Sequence, residues 1–250
     1  MSFYTPLRYP GGKARLGPWL AEVLRHNRIS GGLYAEPYAG GAGAALYLLM
    51  RGYVDHIRIN DADPVIFAFW HAATKNTKRL VKLVRETPVT MDTWYLQQEV
   101  LATARKHSLL KVGFATFFLN RTNRSGILSG GVIGGKEQNG NYGLDARFNK
   151  DELIQRIEAL GSMAKSITVT CLDAQDWLAN TELPKKSLLY LDPPYYIKGS
   201  QLYRNFYKPE DHAVIATLVE QIKTPVLVTY DDEPEIRSLY SNLLTIDFSL

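Results

Sequence analysis

Leu33-Tyr34-Ala35-Glu36-Pro37-Tyr38-Ala39-Gly40-Gly41-Ala42-Gly43 opens as the end of a short buried strand and closes in a glycine-rich turn. A helix over residues 43–51 follows, with Ala44, Ala45, Leu46, Leu48 and Leu49 as its small and apolar residues. Strand, turn and helix together are the repeating unit of a parallel α/β sheet. Outward from it, His56-Ile57-Arg58-Ile59-Asn60 reads as a second strand ending in Asp61 and Asp63, with a helical, aromatic-rich segment over 65–73. Residues 166–171 and 187–191 are two more strands; a helix over 209–222 and a strand over 225–230 come next. Residues 245–249 read as a last strand, and residues 18–25 as an N-terminal helix. The alternation predicts a mainly parallel, doubly wound sheet, whose ligands gather beyond the carboxyl ends of the strands. The glycine turn and both acidic clusters fall there.

Glycine lets a backbone approach a ligand closely, because it has no side chain to clash and tolerates positive φ. The turn differs from the dinucleotide-binding spacing and lacks the Lys-Ser/Thr of a phosphate loop. Asp61 closes the next strand roughly 20 residues on, where an acidic side chain can accept both hydroxyls of a ribose. Asp61 and Asp63 also suit capping of the helix that starts near Pro64, and the two roles are compatible. Tyr9-Pro10-Gly11-Gly12-Lys13 is a second tight turn, either a plain lead into the first helix or a lid with Tyr9 against a ligand and Lys13 on a carboxylate.

Asp192-Pro193-Pro194-Tyr195, directly after the apolar Leu188-Leu189-Tyr190-Leu191, is the most specific feature. Two prolines lock φ and restrict the residues before them, so the corner presents fixed acceptors. That suits an exocyclic amine on an aromatic ring. The Asp192 carboxylate and the Pro193 carbonyl each accept one amino hydrogen while Tyr195 stacks on the ring. Drawn toward two acceptors, the nitrogen becomes tetrahedral and its lone pair faces an electrophilic methyl. Catalysis would then be positioning and desolvation, with no covalent enzyme intermediate.

Of 250 residues, 46% are hydrophobic, enough for one large core or a core plus a small appended domain. No apolar run reaches the roughly 20 residues that cross a bilayer, and the N-terminus has no signal pattern. The single Cys171 excludes an internal disulfide framework and a Cys-rich zinc site, no metal is expected, and the cytoplasm is the simplest compartment. The net charge of +4 is unevenly spread: residues 75–150 hold 13 Lys/Arg against 5 Asp/Glu, the remainder 16 against 20. A basic middle points to a polyanion, although a solvated helical face carries such charge equally well. Residues 75–119 are mostly helical. Between Gly126 and Gly143 lie seven of the 19 glycines among Ser, Asn and Gln, which predicts a mobile hairpin or loop. The expected organisation is a catalytic unit of residues 1–71 and 161–250, interrupted by a subdomain of residues 72–160.

In this order, Tyr9-Pro10-Gly11-Gly12-Lys13, Glu36 to Gly43, Asn60-Asp61-Ala62-Asp63, Phe118-Leu119-Asn120-Arg121 and Asp192 to Tyr195 resemble the motifs of the Dam-like (D12 class) DNA adenine-N6 methyltransferases over nearly the whole chain. The resemblance implies a Rossmann-like S-adenosylmethionine-dependent methyltransferase sheet with a mainly helical, hairpin-bearing DNA-recognition insertion. It implies that Tyr9, Lys13, Asp61 and Asp192 contact S-adenosylmethionine, and that Glu36 with Gly40, Gly41 and Gly43 shapes the pocket for its amino-acid end. Asp173 would meet the cofactor adenine. Asp192, Pro193, Pro194 and Tyr195 would hold a target adenine rotated out of duplex DNA. Asn120, Arg121 and Arg124 fall in the DNA-contacting region, and Arg121, Asn123 and Arg124 are candidates for reading base edges.

Double-stranded DNA is the implied partner, with a cognate restriction endonuclease admitted, no membrane, and a monomer or weak dimer expected. The family's usual Phe-Asn-Gly turn after Leu-Asn-Arg is replaced here by Thr122-Asn123-Arg124-Ser125-Gly126, so no recognition sequence is assigned. Relatives generally continue through a last strand, so the ending at Leu250 raises truncation or a frayed sheet edge as an expectation. A cytosine-N4 methyltransferase faces the same chemistry but usually carries Ser before Pro-Pro-Tyr. Cytosine-C5 transfer needs a nucleophilic thiolate, which Cys171 in a strand does not supply. RNA or protein-glutamine methyltransferases more often carry Asn first. The rival from another class is a non-catalytic DNA-binding subunit that kept the fold.

Overall fold

The computed structural model describes residues 4–9, 11–196 and 207–247; Pro10 and residues 248–249 of the expected last strand lie outside them. Five parallel strands, β1 (Leu33–Glu36), β2 (His56–Asn60), β3 (Ile167–Thr170), β4 (Ser187–Leu191) and β5 (Val226–Val228), form one sheet in the order β3-β2-β1-β4-β5. The two central strands are buried along their whole length, which is why their sequences read as unbroken apolar runs. Successive residues still divide between two cores. Tyr34, Ile57, Leu188 and Tyr190 join one cluster, while Leu33, Ala35, Leu189 and Leu191 join the other.

The larger core is covered by α1 (Gly17–His26), α2 (Gly43–Met50), α3 (Pro64–Lys75), α4 (Thr77–Glu86), α5 (Met91–Ala102), α6 (Leu109–Thr122) and α7 (Lys150–Ser162). The smaller is covered by α8 (Ala174–Asn180), α9 (Pro209–Gln221) and α10 (Pro234–Leu239), through Trp177, Ile215, Val219 and Ile236. The apolar cluster does not part at residue 72. Phe69 of α3 stacks on Phe117 of α6, Phe148 packs edge-on against Phe117, and all three share the cluster of Ile57 and Leu188.

Helices α3 and α6 pack closely because α6 carries Gly113 at the crossing, where a Cβ would overlap the Ala68 carbonyl oxygen. Backbone cannot yield there as a flexible side chain would. Gly113→Ala is expected to destabilise the protein by about 2 kcal/mol, the cost of overpacking a full core, read as a lower urea midpoint at unchanged slope.

Of the hairpin or loop expected for the glycine-rich segment, the structure has the loop: successive turns tied, among the described residues, by a single antiparallel bridge, Asn123 to Val132. Seven glycines among polar residues supply no alternating apolar face to hold paired strands. Residues 245–247 are not a strand: Leu244 and Ile246 are 92% and 65% exposed, and Asp247 pairs with Arg237 of α10. The alternation is present in sequence, but no described strand pairs with it.

The chain runs outward from β1 through β2 to β3, then returns to place β4 on β1's other side. The sheet's direction of growth therefore reverses between β1 and β4, which opens a crevice at their carboxyl ends. Because Ala35 pairs with Leu189, Glu36 at the end of β1 and Asp192 after β4 face the same crevice.

Candidate active site

A cleft of about 700 Å³ occupies that crevice. Tyr9, Lys13, Glu36, Gly40, Gly41, Gly43, Asp61, Asp173 and Asp192 all line it, drawn from segments up to 183 residues apart, together with Pro194. Pro193 is buried and Tyr195 half-buried, and neither is among the residues that line the cleft.

The glycine turn serves a different neighbour from the one its sequence suggests. A Cβ on Gly40 would come within 2.6 Å of the Tyr9 ring, one on Gly41 within 2.9 Å of the Tyr9 Cβ, and one on Gly43 within 2.9 Å of the Ala14 Cβ. The glycines thus admit Tyr9 and Ala14, and Tyr9 with residues 11–13 itself walls the cleft. Gly40 also needs its φ of +47°, and Ala42 beside it is held at +45°. A left-handed alanine costs on the order of 1 kcal/mol, so the turn must be fastened from outside. Asp61 Oδ2 accepts from Gly40 N at 2.9 Å, and Trp70 Nε1 of α3 donates to the Gly40 carbonyl at 2.9 Å.

The two acids after β2 divide their work. Asp63 caps α3 by accepting from Val65 N, whereas Asp61 accepts from Asp63 N at 2.9 Å through Oδ1. Each oxygen of Asp61 keeps a lone pair toward the cleft. Burial pushes the Asp61 carboxyl up to about 7, with the backbone bonds from Asp63 and Gly40 pulling against it. Asp173 caps α8 by accepting from Gln175 N at 2.8 Å while lining the cleft.

Asp192 is held on two sides. Lys13 Nζ donates to Oδ1 at 2.7 Å and Oδ2 at 2.6 Å, and spends its third hydrogen on the Gly11 carbonyl. Thr229, one residue past β5, donates to Oδ1 at 2.7 Å. That leaves one lone pair on Oδ2. Burial raises the Asp192 carboxyl, and Lys13 and Thr229 draw it back. The Lys13 ammonium also stands 5.8 Å from the Tyr195 ring centre. Glu36 is 4% exposed and accepts from Tyr34 Oη at 2.8 Å; burial pushes its carboxyl up to about 8.

Several contributors escape a reading of the sequence. Asn60, fully buried, donates to the Pro37 and Leu172 carbonyls and accepts from Thr170 Oγ1 and Leu172 N, so one amide ties the ends of three strands. Tyr38 and Tyr207 meet through their hydroxyls at 2.9 Å to form a wall. Behind it the His212 ring sits among Tyr196, Tyr207 and Tyr230. The available signals were a polar residue inside an apolar strand and aromatics beside the acidic corner; distance in sequence hid the pairings.

The expected DNA-contacting residues separate into two groups. Arg124 is exposed and Arg121 half-buried. Asn120 and Asn123 are 1% and 0% exposed. Asn120 accepts from Arg8 N and donates to the Arg8 and Gly126 carbonyls; Asn123 accepts from Trp94 Nε1 and donates to the Ile127 and Leu128 carbonyls. Each amide spends both hydrogens and its oxygen inside the protein. In this structure both amides hold turns together, with no N–H left over for a base edge.

A parallel sheet with an acidic cleft at its switch point and an Asp-Pro-Pro-Tyr corner fits the class of enzymes that methylate amino groups. The family model of the D12 class N6 adenine-specific DNA methyltransferases matches residues 9–249, and the chain belongs to that family. It is also similar to the type II methyltransferase M.MjaIII of Methanocaldococcus jannaschii, 23% identical over 203 residues that cover 76% of this chain and 68% of that protein.

Proposed function

We propose that this chain transfers a methyl group from S-adenosylmethionine to the N6 amino group of adenine at specific sites in duplex DNA, with the target base rotated out of the helix into the cleft. The observation that carries the reading is the acidic lining of the cleft. Among the described residues, the carboxyl groups of Glu36, Asp61, Asp63, Asp173, Asp192 and Asp211 line it beside the ammonium of Lys13, those of Glu36 and Asp61 ready to ionise when a cation arrives. Such a wall disfavours the phosphates of a dinucleotide and suits a ligand bearing an ammonium, a sulfonium and ribose hydroxyls. Asp61 would take the hydroxyls, Glu36 and the glycine turn the amino-acid end, and Asp173 with Tyr9 the remainder. When bound, the cofactor supplies an electrophilic methyl group.

The chain's own residues do the rest. Asp192 Oδ2 accepts one hydrogen of the adenine amine and the Pro193 carbonyl the other, while Tyr195 stacks against the ring. Lys13 keeps the carboxylate ionised and aimed. After transfer the amine carries a surplus proton, and a buried Asp192 with a raised pKa is suited to receive it.

Residues 72–160 are proposed as the recognition region, in function rather than as a separate core, since their apolar side chains share the cluster under the sheet. Likeness to a type II methyltransferase favours a restriction-modification setting with a cognate endonuclease, a monomer or weak dimer acting in the cytoplasm. No helix among the described residues is long and apolar enough to cross a membrane.

Incubating plasmid with the protein and S-adenosylmethionine, followed by nucleoside mass spectrometry, is expected to show N6-methyladenine. Methylcytosine alone would overturn the base assignment. Duplex binding without any methylated nucleoside would favour a non-catalytic subunit.

A further inference from the structure

Outside the cleft, four guanidiniums gather around the N-terminal strap of residues 5–8. Arg8 Nη1 donates to the Asn123 carbonyl at 3.2 Å, Arg121 Nε to the Arg147 carbonyl at 2.8 Å, and Arg156 Nη1 to the Thr5 carbonyl at 2.8 Å. Arg121 Nη1 also reaches the Pro6 carbonyl. The carboxylate that acts on Arg121 is Glu152, which is already paired with Arg156. Burial, with Arg156, Arg8 and Arg147 adding like charge, pulls Arg121 down to about 10, and Arg8 is lowered by burial and Arg147. Three half-buried guanidiniums with the exposed Arg147 beside them repel one another, and an anion placed among them relieves that repulsion.

Each of these guanidiniums has five donors; carbonyls take one from Arg8, two from Arg121 and one from Arg156, while Arg147 stands near enough to act on Arg8 and Arg121 as a like charge. Those bonds fix the planes of Arg8, Arg121 and Arg156 and leave donors over for the planar, paired contacts that match a phosphate. Resting on the DNA-methylating reading above, we propose that Arg8, Arg121 and Arg147, steadied by Arg156, form a clamp for a phosphodiester of the DNA backbone. The clamp adjoins the active cleft. Asn120 brackets both the N–H and the carbonyl of Arg8, and the next residue, Tyr9, lies on Gly40 and Gly41. A phosphate held there registers the duplex against the cleft. Arg121 is thereby reassigned from reading a base edge to gripping the backbone.

The test is duplex affinity across a salt series. Arg8→Gln and Arg147→Ala spare the backbone contacts at both positions, so the fold is expected to persist. Each is expected to reduce the slope of log affinity against log salt by about 0.9 and to weaken binding about tenfold, equally on substrate and unrelated duplexes. Arg8→Lys and Arg147→Lys should retain the slope, and affinity for S-adenosylmethionine should not move. Unchanged slopes in both folded variants would overturn the clamp. So would a loss confined to one DNA sequence, the mark of base reading. A wild-type protein that binds duplex with the steeper slope yet forms no N6-methyladenine would leave the clamp standing and refute the catalytic reading alone. One with no affinity for duplex would refute both.

Discussion

Replacing Asp192 with alanine is expected to lower the rate of methyl transfer by about 10³-fold or more while duplex binding persists. Three losses coincide. The amine loses the acceptor on Oδ2. Lys13 Nζ, which spent two of its hydrogens on this carboxylate, is left as a half-paired cation beside the reacting nitrogen. Thr229, tied to both Asp192 and Tyr190 Oη, loses the partner that fastens β5 to the corner. Asp192→Asn separates these effects. An amide keeps the shape and one acceptor oxygen but turns a donor toward either Lys13 or the substrate, so an intermediate rate is expected. Single-turnover transfer measured beside duplex affinity distinguishes a chemical defect from a binding defect. A folded alanine variant with near-normal turnover would refute the role given to Asp192.

The parts of the fold legible in sequence are those whose signal is local. Strands β1 and β4 are runs of apolar residues and β2 alternates polar with apolar ones; they run into Glu36, Asp192 and Asp61, and an acid closing a buried strand marks both the boundary and the site. Helix α7 carried an equally local signal: Asn149 accepts from Glu152 N, and Leu153, Ile154, Ile157 and Leu160 follow at helical spacing. Burial of polar groups is not local. Asn120 and Asn123 sit in a basic segment and look like surface contacts, yet what encloses them is Arg8, 112 residues earlier, and Trp94 of α5. The glycine turn shows the same limit, since its need for small residues was plain while the Tyr9 ring that fills the space lies 31 residues away in the chain.

The pH behaviour of Glu36 offers a test of the cleft that does not depend on turnover. Its carboxyl titrates at about 8 in the fold against 4.5 for the ordinary group, because burial penalises the anion more than the Tyr34 hydroxyl relieves it. A folded pKa above the unfolded one means that the native chain keeps a proton the unfolded chain has released. The stability tied to that proton is therefore complete below pH 4.5 and falls as pH rises toward about 8. Glu36→Gln preserves the acceptor for Tyr34 and removes the titration. It is expected to match the parent near pH 4.5 and to exceed it at pH 8 by on the order of 2 kcal/mol, roughly 4–8 °C in melting temperature. On the proposed reading the gain in stability comes with a loss of affinity. A cationic ligand arriving beside Glu36 drives the proton out and takes the carboxylate as counter-ion, with Asp192 and Lys13 as the neighbouring charges. Affinity for S-adenosylmethionine should then rise with pH up to about 8 in the parent, with proton release visible by calorimetry in buffers of different ionisation enthalpy. The glutamine variant should bind about 10- to 100-fold more weakly and release less proton. A variant no more stable than the parent at pH 8 would show that Glu36 is ionised in the free protein. Undiminished affinity would show that the ligand's positive charge lies elsewhere in the cleft.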